Sequence, residues 1–113
     1  LLGRALAPLR DEGVLILGSG MSYHNMQHFQ RSLARDASAT FDAWLAESLG
    51  LPREAREDRL RAWADAPAAR IAHPREEHLL PLMLVAGAAG DDLAHAAYRG
   101  AVMSATVSAF RFG

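Results

Sequence analysis

Three features of the 113-residue chain predict an α/β fold. A short apolar run with a β-branched residue at two of its four places, Val14-Leu15-Ile16-Leu17, ends abruptly at Gly18-Ser19-Gly20. Stretches of helical period lie on both sides of it, and the chain finishes on an alternating run from Ala105 to Phe110. Apolar runs of that length are typical of buried strands whose faces are covered by helices. The expected class is α/β, part of a mixed or parallel sheet flanked by helices, in one small unit.

The elements follow in order. Leu2, Leu6 and Leu9 share one face at spacings of four and three, which marks the closing turns of an amphipathic helix. Gly13 suits the left-handed position after its end. Val14 to Leu17 is then expected to be an interior strand. Residues 39–49 read as a helix with Phe41, Trp44, Leu45 and Leu49 on its apolar side. Leu51-Pro52 breaks it, and Arg53 to Ala64 resumes as a charged helix with Leu60 and Trp63 inward. Pro67 and Pro74 bracket a non-helical stretch. Glu76 to Ala86 is helical again, with Pro81 tolerated near the first turns. Residues 87–92 form a loop, and Ala105 to Phe110 a final strand. A start at Leu1, without methionine and already inside a helix, reads as the start of a fragment of a larger single domain.

Composition excludes several functions. Net charge is −1 and the arginines are interspersed with carboxylates, so no basic stripe marks a nucleic-acid partner. No apolar run approaches the roughly 20 residues of a bilayer span, so no membrane partner is expected. The absence of cysteine rules out disulfides and thiolate metal sites and fits a cytoplasmic protein.

Two segments carry chemistry. The first is Gly18-Ser19-Gly20-Met21-Ser22-Tyr23-His24-Asn25. A glycine turn after a strand, followed by polar residues, is how open α/β sheets build sites at strand ends. It lacks the third glycine of a dinucleotide fingerprint and the Gly-Lys-Ser/Thr ending of a phosphate loop. His24 is the candidate here; the alternative is a plain turn with an incidental histidine. His28 reads as a loop residue. The second segment is His73-Pro74-Arg75-Glu76-Glu77-His78-Leu79-Leu80-Pro81-Leu82. If Leu79, Leu82 and Met83 face the core, His78 lies at its boundary, where imidazole or carboxylate can reach a metal. Glu76 and Glu77 also suit a helix N-terminus as ordinary charges, and His73 reads as a loop histidine before proline.

Together the segments resemble the LigB-type class III extradiol ring-cleavage dioxygenases, in the subgroup of the DOPA dioxygenases. Gly18 to Asn25 is similar to that family's glycine-serine-glycine…histidine-asparagine signature, and His73 to Leu82 to its glutamate-histidine…proline-leucine block. The final strand and Gly113 match where such chains end. The resemblance implies that residues 1–113 are the C-terminal portion of the dioxygenase domain, whose other two metal histidines lie in the N-terminal half. It implies His24 as general base or metal ligand, His78 as metal ligand, and Glu77 as the carboxylate ligand some relatives use. It further implies Fe(II) as cofactor, with Zn able to occupy the same site, and a catechol-type substrate cleaved with O₂. A sheet lacking half its strands would self-associate, so a homo-oligomer is expected. Two alternatives stand beside this reading: a non-catalytic metal-binding or interaction protein of the same fold, and an unrelated α/β binding module.

Overall fold

A computed structural model of the chain describes residues 1–29 and 31–113. The order of elements is α1 (Leu2–Leu6), α2 (Pro8–Asp11), α3 (Ser32–Leu49), α4 (Arg53–Arg61), a 3₁₀ turn (Trp63–Asp65), α5 (Ala69–Ala72), α6 (Leu80–Ala88), β1 (Ala94–Val102) and β2 (Ala105–Phe112). The α/β class is as expected. β1 and β2 form an antiparallel hairpin in which Val102 pairs with Ala105 across a two-residue turn. Met103 and Ser104 both have positive φ, 47° and 73°. That is the sign pattern of a primed hairpin turn, which Asn-Gly fills with less strain. β1 was not visible in the sequence, because its alanines give no alternating apolar pattern.

Helix α3 is the spine. Ala34, Ala37, Phe41, Leu45 and Leu49 recur at helical spacing and are buried. Three polar residues share that face, and each is used. Ser48 Oγ donates to the Trp44 carbonyl at 2.7 Å. Ser38 Oγ accepts the Thr106 N–H at 2.8 Å, and Asp42 accepts from Arg99 Nε at 2.8 Å, so α3 is bonded to both strands of the hairpin. Leu60 and Trp63 point inward, as their spacing predicts. Arg56, fully buried on α4, donates to the carbonyls of Gly90 and Asp92 beyond the C-terminal end of α6. A buried cation placed against carbonyls near a helix C-terminus meets favourable dipoles.

Several expectations change: the stretch between Pro67 and Pro74, expected to be non-helical, carries α5, and α3 begins at Ser32 rather than at residue 39. Val14–Leu17 forms no ladder, and Leu15 and Leu17 are 85% and 83% exposed. A strand exists through a ladder of backbone partners, and among the described residues this run has one backbone bond, from the Val14 N–H to the Leu9 carbonyl at 3.1 Å, which closes the turn after α2. A cleft of about 600 Å³ opens beside it, lined by Val14, Ile16, Val85, Phe110 and Phe112 among others. The last helix starts at Leu80 rather than Glu76: residues 74–79 are bends and turns, and Pro81 takes the first turn, where its missing N–H is harmless. Gly13 has the left-handed φ of 79° expected of it.

The glycines of the Gly18-Ser19-Gly20 turn have a packing role. A β-carbon on Gly18 would lie 2.6 Å from the Pro81 carbonyl oxygen, and one on Gly20 would lie 2.3 Å from that of His78. This segment thus rests directly on the backbone that enters α6. Gly20→Ala is expected to force that contact apart and destabilise the protein by about 1–3 kcal/mol, the usual range for overpacking. Urea denaturation with an unchanged midpoint would contradict this packing.

Candidate active site

The site is built where two loops run alongside each other. The Met21 N–H donates to the His78 carbonyl and the His24 N–H to the Ala72 carbonyl, both at 2.9 Å. Asn25 Nδ2 donates to the Ile71 carbonyl at 2.8 Å. His73 Nε2 lies 3.0 Å from the Ser22 carbonyl, which can only accept, so the proton is on Nε2. Ser22 also accepts the Ser108 N–H on its Oγ at 2.8 Å, tying the same loop to β2. Asn25 Oδ1 accepts the Gln27 N–H at 3.2 Å, which fixes the turn after His24. Residues 21–25 are therefore held against residues 71–78 from both ends.

This arrangement brings His24 and His78 together. Their imidazoles are stacked, with centroids 3.6 Å apart and planes inclined by 23°. Both are half-buried, at the edge between core and solvent, and His78 also lines the 600 Å³ cleft. Leu79 is fully buried behind His78, while Leu82 and Met83 pack on the core, as the sequence predicts.

Glu77 lies outside the pair. It is exposed, and its carboxylate takes Arg75 Nε at 3.3 Å. Glu76 is likewise exposed and faces Arg70. Among the described residues, no three histidine, aspartate or glutamate side chains converge as a metal would require. The donor set on hand is two imidazoles, the ligand type that suits iron or zinc where thiolate is absent. His28 sits in a turn, half-buried, with Nδ1 unpartnered among the described residues.

His73 corrects the sequence reading most. Expected to be a loop histidine, it is fully buried, edge-on to Phe41 and Trp63 with ring centroids 5.4 and 6.2 Å away. Burial pushes its imidazole below the usual histidine range, the Ser22 bond opposes this, and His24 and His78 push the same way as burial. Its Nδ1 has no partner among the described residues. Ser22 and Tyr23 are buried as well, and burial pushes the Tyr23 phenol up. The sequence carried one clue to His73: it stands five residues before His78 in a block rich in ionisable groups.

The chain is similar to several known proteins. Over 109 residues the chain is 39% identical to a 4,5-DOPA dioxygenase extradiol from Beta vulgaris, covering 91% of this chain and 40% of that one. The 4,5-DOPA dioxygenase extradiol from Portulaca grandiflora is 43% identical over 94 residues, 80% of this chain and 34% of its own length. A crystal structure of an uncharacterized Escherichia coli protein superposes with a TM-score of 0.85 at 26% identity, covering 99% of this chain and 48% of that one. The chain thus spans about two fifths or less of the curated relatives cited, and about half of the solved structure. Residues 1–111 match the family described as the catalytic LigB subunit of aromatic ring-opening dioxygenase, and the chain belongs to that family.

Proposed function

We propose that the protein is an extradiol ring-cleavage dioxygenase acting on a catechol-type substrate with O₂ and a non-haem metal, and that residues 1–113 correspond to the C-terminal portion of its domain. The observation that carries this is the stacking of His24 on His78 at 3.6 Å by two loops distant in sequence. Family membership supports it, as do relatives whose names specify extradiol DOPA cleavage.

In this reading His78 is a metal ligand and His24 the general base, with ligation by His24 the alternative role. Fe(II), or Zn in the same place, would be held by His78 with ligands from beyond this chain. When bound, iron supplies charge stabilisation and electron transfer to oxygen, which redox-inert zinc cannot. His24 removes the proton from a substrate hydroxyl oxygen and later returns it, the acid–base role that a positioned imidazole serves. A ligand role for Glu77 requires its carboxylate to turn away from Arg75.

The test is iron per chain and catechol consumption in the intact gene product and three variants. His24→Ala is expected to lower turnover by about 10²–10⁴-fold, the usual share of an acid–base group, with iron retained. His78→Ala is expected to lose iron and turnover together, and Glu77→Ala to do so only if that carboxylate ligates. Iron binding without ring cleavage would favour a metal-binding member of the fold. Wild-type behaviour in all three variants contradicts the site.

The same reading bears on assembly. Leu15 and Leu17 stand exposed on a segment whose backbone has no ladder partner among the described residues, which invites pairing with a second chain. Sedimentation velocity of the 113-residue chain is expected to show dimers or larger species that Leu15→Lys with Leu17→Lys disperses. A well-behaved monomer at every concentration would contradict it.

A further inference from the structure

We infer that His73 is a positioning residue: through its Nε2–H bond to the Ser22 carbonyl it sets the backbone that presents His24 to His78. The inference rests on the catalytic reading for its kinetic consequence, but its geometry stands without it. His73 is fully buried and wedged edge-on between Phe41 of α3 and Trp63, so the ring is fixed by packing on two sides. A ring so held can aim one N–H in one direction, and that direction is the Ser22 carbonyl, 3.0 Å away.

Ser22 is the junction of the loop. Its side chain already accepts from Ser108 of β2 at 2.8 Å, and its carbonyl is the group left for His73. The next bonds along the chain, Met21 to His78 and His24 to Ala72, flank this one on either side. With the middle bond lost, residues 21–25 are still tethered at their ends. The peptide between them can then rotate, and the imidazole of His24 turns with it. A displacement of about 1 Å at a catalytic group is worth roughly a hundredfold in rate.

Two near-isosteric replacements isolate the bond. The side-chain N–H of glutamine falls close to imidazole Nε2, while that of asparagine falls close to Nδ1. His73→Gln therefore keeps a donor aimed at Ser22, and His73→Asn does not. The readouts are the NMR cross-peak between the His24 and His78 rings, the melting temperature, and kcat and KM on the best catechol substrate. His73→Asn and His73→Ala are expected to lose the cross-peak and about 10- to 100-fold in kcat with little change in KM. His73→Gln is expected to keep the cross-peak and most of kcat. Gln and Asn variants of equal melting temperature but unequal kcat separate positioning from bulk stability. The inference is overturned if the cross-peak survives in His73→Asn, or if His73→Gln is no better than His73→Asn. A wild-type protein without ring cleavage contradicts the functional reading alone, and the cross-peak then decides the role of His73.

Discussion

The pairing of residues 21–25 with residues 71–78 is the constraint on which the rest of the site depends. Apart from Ile71 and Ala72, the last two residues of α5, neither stretch is helix or ladder strand, so neither has an intrinsic geometry. Each takes its shape from the other, through Met21 to His78, His73 to Ser22, His24 to Ala72 and Asn25 to Ile71. A single such bond contributes about 0.5–1.5 kcal/mol net. The larger effect is the penalty of about 1–3 kcal/mol for leaving a buried donor or acceptor without its partner. Ser22, Asn25 and His73 are all buried, so opening the clamp strands several polar groups at once. That is why two loops can hold a pair of imidazoles in register.

The clamp is in turn anchored on every side. α5, which supplies the Ile71 and Ala72 carbonyls, packs on α3, and Ala69 and Ala72 belong to the main core. Leu79 is buried directly behind His78 and leads into α6, whose far end is held by Arg56 and by Arg10 on the carbonyls of Ala88 and Ala89. Ser108 reaches Ser22 from β2, and β2 is bonded to α3 through Thr106. Gly20 allows the first loop to touch the His78 carbonyl at all. Sequence, packing and site are linked here by identifiable bonds, each with a known partner.

Much of this was legible in the sequence. Helical spacing found α3 from residue 39 onward, α4 and the inward Leu60 and Trp63, while α6 starts at Leu80 rather than Glu76. The two motif segments located His24 and His78, and spacing placed Leu79, Leu82 and Met83 behind His78. What spacing cannot supply is a partner. Val14 to Leu17 has the composition of a buried strand, yet a ladder needs a second strand, and none pairs with it among the described residues. β1 was missed for the opposite reason: it is a strand by hydrogen bonding to β2 while its alanine-rich sequence has no period. The burial of His73 is invisible in the sequence, because its acceptor Ser22 lies 51 positions away. Glu77 looked like a neighbour of His78 along the chain, but in a turn adjacent residues point apart, and its carboxylate lies with Arg75.

The central claim is that a buried, hydrogen-bonded clamp holds the histidine loop. Amide hydrogen exchange resolved by residue tests it most directly, because exchange reports the opening of individual bonds. The His24 and Met21 amides, bonded to Ala72 and His78, are predicted to exchange slowly, in the class of the α3 core amides around Phe41. The Leu15, Leu17 and Ser19 amides, in the exposed segment just before, are predicted to exchange fast. A His24 amide that exchanges as fast as that of Ser19 would contradict the account.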